Sequence, residues 1–348
     1  MAAKPSSRLT AIDSLRGIAA MLVVLFHYTT RYDELYQHNA APFFQLPWGH
    51  LGVNLFFMIS GFVIFMTIEK TRHSLDFVVS RFSRLYPAYW AAILLTLALT
   101  HWLGLPGKLV DIAAATANLS MLHSFVNIPS VDGVYWTLEV ELLFYFWIWL
   151  AYRLRLLGRV HLLLAALFAL RLVYFWTETQ MHVDLPWQPY RLLILKFIPW
   201  FAAGIMVYRL VSRHGTARCD LAIGCAAVVL LALTEGIATA CLLLGLAGVL
   251  YAAARGHLAL LTHPALVWLG SISYTLYLLH ENIGWAIIRR LEMAGADASL
   301  AVVLALLLAM LLASGVTRMV ELPAMAWLRA RYRRRMLARE ASLAVRER

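Results

Sequence analysis

Charge is what this sequence has least of. Only 14% of its 348 residues are Asp, Glu, Lys or Arg, against about 25% in an ordinary soluble domain. A surface so poor in charge cannot clothe a water-facing globule, and 62% of the residues are hydrophobic, with a mean hydropathy of +0.72. Cysteine is scarce as well. Cys219, Cys225 and Cys241 show no Cys-x-x-Cys spacing, which excludes a disulfide scaffold and leaves them as small packing residues. Linkers rich in Pro, Gly and Ser, low-complexity tracts and internal repeats are absent too, which excludes disordered and repeat architectures. No small-residue cleavage site follows the opening MAAKPSSRLT, so no cleaved signal peptide is expected.

What is present instead is a series of long apolar runs. Ten spans of ~20 residues consume about 200 positions, close to the hydrophobic content of the chain. Runs at 10–30, 49–69, 86–105, 134–152, 160–177, 190–211, 219–234, 237–254, 265–288 and 299–320 predict an all-α integral membrane protein of about ten helices. The stretch 109–125, with Asn118 and Ser120, is expected as an interfacial or re-entrant element. The run 73–85, carrying Arg81 and Arg84, reads as a helix lying in the interface. The expected organisation is one membrane domain over 1–328, a basic tail over 329–348, and no appended soluble domain.

The net charge of +11 comes from 30 basic against 19 acidic residues. With the N-terminus inside, the N-terminal segment and inner loops hold thirteen Lys and Arg, from Lys4 to Arg255, and the tail eight more, from Arg329 to Arg348. The outer side holds five: Arg31, Lys108, Arg191, Arg289 and Arg290. That asymmetry puts both termini in the cytoplasm. Basic residues spread over short loops are orientation information rather than a nucleic-acid stripe, so no nucleic-acid partner is expected.

Ionisable residues inside spans cost roughly 2.5–3.5 kcal/mol near the bilayer centre and are functional candidates by default. The first span holds Asp13, Arg16 and His27. Eleven residues at 100° each bring Arg16 and His27 to one helix face, about 16 Å apart along the axis. Asp13 stands three residues before Arg16, a spacing that permits an ion pair. Two readings fit: a snorkelling Arg16 with a His27 that merely ends the helix, or a working pair. Glu139 and Glu141, two residues apart, point to opposite faces and form no catalytic dyad. The ninth run carries Ser271, Ser273, Tyr274, Tyr277, His280 and Glu281, and Glu321 lies near Arg318 at the inner end of the tenth. Depth sorts these groups. Arg16, Arg81 and Arg84 gather on the inner side, suited to a phosphate-bearing cytosolic ligand. Toward the outside lie His27, Glu141 and His280, which can handle protons.

Five segments carry a resemblance. Ile12-Asp13-Ser14-Leu15-Arg16-Gly17 with His27 is similar to the Arg-x10-His opening of the membrane-bound acyltransferase family 3. Gly52–Phe62 resembles its second span, and Arg81-Phe82-Ser83-Arg84-Leu85-Tyr86-Pro87 its Arg-x-x-Arg loop followed by proline. Trp136-Thr137-Leu138-Glu139-Val140-Glu141 matches its Trp-Ser-Leu-x-x-Glu pattern with Thr137 in place of Ser, and Ile272–His280 a late-span motif. The stretch from about 155 to 260 carries no such motif.

The resemblance implies transfer of an acetyl or other short acyl group from acyl-coenzyme A to a hydroxyl of a surface glycan or small molecule. The donor is then a substrate, and no permanently bound cofactor or metal is expected. Arg81 and Arg84, with Arg16, would hold the coenzyme A phosphates. His27 would act as general base or carry the acyl group, and Glu141 would orient it or bind the acceptor. Asp13, Trp136, Tyr274 and His280 would line the substrate path. A bacterial inner membrane is the implied location. The same buried charges would serve a transporter of a polar solute, although the halves show no hydropathy symmetry of the inverted-repeat kind. A lipid acyltransferase of another family is disfavoured, because His-x4-Asp follows none of the twelve histidines.

Overall fold

The computed structural model describes residues 7–214 and 216–346, with side chains over 10–214 and 216–338. Lys4 and Arg348, counted among the inner charges, lie outside the described residues. Among those described there is no β-strand. Eight helices are long and apolar enough to cross a membrane: Thr10–Tyr36, Pro47–Glu69, Ser74–Leu103, Gly133–Arg153, Leu157–Gln180, Ala217–Thr234, Ile237–Arg255 and Ala298–Ala338. Two shorter apolar helices, Ile198–Ser212 and Pro264–Leu279, complete the series. The protein is an all-α, multi-pass membrane protein, and its apolar helices follow the order of the apolar runs.

Several boundaries differ from the sequence expectation. The run 73–85 is no separate interfacial helix; it is the first part of one 30-residue helix, Ser74–Leu103. Arginine is a good helix former, so Arg81 and Arg84 lower hydropathy without breaking the helix, and Pro87 is accommodated inside it. The run 265–288 is not continuous either. Pro264–Leu279 ends, and Glu281–Met293 begins after His280. Within the stretch 109–125, Ile112–Asn118 is a short helix whose first turn is capped by the Asp111 carboxylate, which accepts from the Ala114 N–H at 2.7 Å. The basic segment after 328 continues the helix Leu322–Arg346. The three cysteines are exposed on their helices rather than packed.

The chain forms two compact units. The first takes the residues up to Phe26, Leu46–Lys70 and Trp136–Ser273; the second takes His27–Gln45, Thr71–Tyr135 and the residues from Tyr274 onward. In the first, Gly52–Glu69 and Ile198–Ser212 meet backbone to backbone. A Cβ on Gly61 would strike the carbonyl oxygen of Phe201, and one on Gly204 that of Met58. Small residues at such crossings are how helices associate where lipid supplies no hydrophobic drive. Asp220, 1% exposed, ties further helices of this unit together. It accepts from Arg209 Nε at 2.7 Å and Thr216 Oγ1 at 3.1 Å and pairs with His161 Nε2 at 2.7 Å.

In the second unit the late helices pack through polar contacts. Thr275 Oγ1 donates to the Ala313 carbonyl at 3.1 Å and meets the Thr317 hydroxyl at 2.6 Å. Arg290 Nε donates to the Leu103 carbonyl. Arg84 stands nineteen residues earlier on Ser74–Leu103, about 28 Å along the axis at 1.5 Å per residue. The contacts of Arg84 and of Arg290 therefore lie far apart along this helix.

Candidate active site

His27 sits in a π-helical segment, Phe26–Arg31, at the end of the first helix. Such π turns widen the helix and are frequent at functional sites. The break at His280 supplies its partners. His27 Nδ1 lies 3.1 Å from His280 Nε2, and His27 Nε2 lies 3.2 Å from Glu281 Oε2. The Trp285 indole N–H donates to the His27 carbonyl at 2.8 Å. The Tyr28 hydroxyl donates to the His280 carbonyl at 2.9 Å. His280 is fully buried, and the side chains of His27 and Glu281 are 14% and 6% exposed.

Hydrogen-bond logic assigns protons along this chain. His280 Nδ1 lies 2.8 Å from the Tyr277 carbonyl, which only accepts, so Nδ1 carries a hydrogen. With His280 neutral, its Nε2 accepts from His27 Nδ1–H. That leaves His27 Nε2 facing a carboxylate oxygen. Two lone pairs at 3.2 Å repel, so one proton lies between Nε2 and Glu281, on either partner. Removing that proton creates a base.

A second strand of contacts holds Glu281 in place. Asp132 accepts from the backbone N–H of Asn282 at 3.1 Å and of Val134 at 3.3 Å, while Asn282 Nδ2 donates to the Val131 carbonyl at 2.9 Å. Gly133 lies against the Glu281 carboxyl so closely that a Cβ there would overlap it. Asp132 is wholly buried, and desolvation pushes its carboxyl up from 3.8 to about 7.

Arginines gather further back along Ser74–Leu103, near residues 80–84. Arg84 pairs with Glu321, which is 1% exposed. The Arg84 guanidinium also lies 5.7 Å from the Tyr274 ring centroid, and the Tyr274 hydroxyl donates to the Leu85 carbonyl at 2.8 Å. Arg81 NH2 donates to Ser80 Oγ at 3.1 Å, and Arg329 Nε to Ser83 Oγ at 3.1 Å. Tyr274 and His280 are six residues apart, about 9 Å of helical rise. One helix segment thus touches the arginine cluster with Tyr274 and presents His280 to His27 at its end.

Of the residues singled out in the sequence, the structure brings together His27 with His280, and Arg84 with Tyr274; Arg81 stands one turn before Arg84. The remaining four belong to the first unit. Asp13 and Arg16 form the expected ion pair at 3.6 Å. Trp136 packs on Phe197 and Phe57 at 5.3 and 6.1 Å. Glu141 accepts from Ser60 Oγ at 2.9 Å and Tyr145 OH at 2.5 Å. The carboxylate beside His27 within its unit is Glu281, while Glu141 belongs to the first unit. Glu139 pairs with Arg191 at 2.8 Å, and Glu321 with Arg84 rather than with its neighbour Arg318. Asp132 was not singled out in the sequence, and Arg329 was counted there only as a basic residue of the tail. A signal for Glu281 existed: a second ionisable residue directly after His280 at the end of an apolar run.

A family model described as an acyltransferase domain matches residues 9–319. The chain belongs to acyltransferase family 3. A curated relative, Protein 2 in picA locus of Rhizobium radiobacter, is 31% identical over 120 residues, which are 32% of this chain and 58% of that protein. The chain thus spans less than two thirds of that relative's length. No solved structure matches the chain. Chemically, the paired histidines and Glu281 are groups able to exchange protons, and the arginine cluster in the same unit is made of groups able to bind an anion.

Proposed function

We propose that this acyltransferase moves an acetyl or other short acyl group from cytosolic acyl-coenzyme A to a hydroxyl of a carbohydrate, such as a lipopolysaccharide or exopolysaccharide, at a bacterial inner membrane. The carrying observation is the Tyr274–His280 segment. It joins a cluster of guanidiniums, which match phosphate geometry, to a histidine pair about 9 Å further along the helix. Arg81 and Arg84 hold the donor's phosphates at the cytoplasmic end, and the extended thiol arm follows the segment toward His27.

In the reacting form, His27 is neutral, Glu281 is ionised, and the position between them holds no proton. The acceptor hydroxyl delivers its proton to His27 Nε2 while its oxygen attacks the thioester carbonyl. A carbon–oxygen bond forms, the carbon–sulfur bond breaks, and the proton passes to the departing thiolate. Glu281 stabilises the imidazolium in between, and His280 holds the ring. Positioned general bases of this kind contribute about 10²–10⁴ in rate.

The test uses purified protein in detergent with radiolabelled acetyl-coenzyme A, comparing wild type with His27→Ala. Binding in both, with release of free coenzyme A only in wild type, is the expected result. Failure of wild type to bind acetyl-coenzyme A would overturn the donor assignment. Equal release from His27→Ala would overturn the role of His27.

A further inference from the structure

The family match ends at residue 319, and the helix Leu322–Arg346 begins just beyond it. This helix is laced onto Ser74–Leu103 at the turns that carry Arg81 and Arg84. Arg329 donates from Nε to Ser83 Oγ at 3.1 Å and from NH2 to the Ser80 carbonyl at 3.3 Å. One turn on, the Tyr332 hydroxyl donates to Asp76 Oδ1 at 2.8 Å. Arg81 donates to the hydroxyl of the same Ser80. Arg329 therefore lies within electrostatic reach of Arg81, Arg84 and Arg333.

Among the described residues, the acids in contact with this cluster's two helices each have a partner: Glu321 pairs with Arg84, and Asp76 accepts from Tyr332. Four guanidiniums so gathered repel one another, and a multiply charged phosphate relieves that repulsion through the same forked donors. Arg331 provides the contrast, since its guanidinium lies 5.4 Å from the Trp327 ring of its own helix.

We infer that the helix Leu322–Arg346 completes the donor site, with Arg329 binding a phosphate of the acyl-coenzyme A beside Arg81 and Arg84. This inference rests on the donor reading above. It makes the segment beyond the family domain part of substrate binding rather than only a basic anchor for anionic lipid.

The experiment measures equilibrium binding of acetyl-coenzyme A and of its dephospho form, in detergent and in nanodiscs rich in phosphatidylglycerol. The proteins are wild type, Arg329→Gln, Arg329→Lys and Arg331→Gln, each checked for monodispersity. Arg329→Gln is expected to weaken acetyl-coenzyme A binding about tenfold, the loss of one charge-assisted contact. Arg329→Lys, which keeps the charge without the fork and serves if the glutamine variant does not fold, is expected to lose less, and Arg331→Gln nothing. The same order in both lipid environments supports a donor contact. Wild-type affinity in both Arg329 variants would overturn the inference and leave the donor reading standing, as would an equal loss in Arg331→Gln or a loss confined to nanodiscs. Failure of wild type to bind acetyl-coenzyme A would remove both.

Discussion

His27 Nε2 stands 3.2 Å from Glu281 Oε2, residues separated by 254 positions in the chain, while the other ring nitrogen faces His280 Nε2 at 3.1 Å. The pair shares one proton, and the loss of that proton makes the base. Glu281→Gln removes this option, because the amide can donate to Nε2 but cannot stabilise the imidazolium. The expected outcome is a fall in kcat of about 10²-fold or more with little change in KM for the acyl donor. Glu141→Gln, whose native carboxylate accepts from Ser60 and Tyr145, is expected to fall less. Steady-state assays of both variants decide the matter, and a Glu281→Gln enzyme of normal kcat would sink this assignment.

Gly133 offers a test that leaves every polar group in place. A methyl there would overlap the Glu281 carboxyl, so Gly133→Ala must push Glu281 away from His27. Misplacement of a catalytic group by about 1 Å can cost about 10²-fold in rate. Acyl-donor affinity should stay at the wild-type value, since the arginine cluster is untouched. Parallel measurements of donor binding and turnover check both halves; loss of donor binding would mean a general folding defect instead.

Asp132 gives the pH prediction. Burial raises its carboxyl from 3.8 to about 7 in the folded protein, so the folded state holds this proton more tightly than the unfolded state does. The corresponding stability is full below about pH 4 and is lost as pH rises through about 7. Asp132→Asn keeps an oxygen that can accept from Asn282 and removes the titration. Thermal unfolding in detergent between pH 4 and 8 should show wild type losing stability relative to Asp132→Asn as pH rises. A constant difference between the two across that range would contradict the assignment.

The apolar runs were legible because hydropathy reports where lipid contact is possible, and the helices follow them in order. Hydropathy failed at Ser74–Leu103, where Arg81 and Arg84 lower the average although their backbone stays helical. It failed again at His280, where an apolar stretch conceals a break. Within the site, His27, His280, Arg81 and Arg84 stood out as charges in apolar surroundings. Their partners did not, because pairing depends on distant segments. Local spacing offered Arg318 to Glu321, three residues away; the fold supplies Arg84, 237 positions away. The resemblance offered Glu141 either to orient His27 or to bind the acceptor; Glu281 comes to His27 through the break after His280, which local spacing does not show.

The Arg84–Glu321 pair tests the dual role of the arginine cluster. Glu321 is 1% exposed, and removing one partner of such a buried pair strands a charge at a cost of about 3–5 kcal/mol. Arg84→Ala is therefore expected to unfold at markedly lower temperature than wild type, and its loss of activity alone would not prove a donor contact. Replacing both partners removes the stranded charge: Arg84→Met with Glu321→Leu should regain most of the stability, since apolar substitutes of similar volume are often neutral at buried pairs. If Arg84 also binds donor phosphate, the stable double variant will still bind acetyl-coenzyme A about tenfold more weakly than wild type, the worth of one charge-assisted contact. Thermal melts and donor binding on the same three preparations separate the two roles. A double variant with both stability and affinity restored would leave Arg84 a structural residue and shift phosphate recognition to Arg81 and its neighbours.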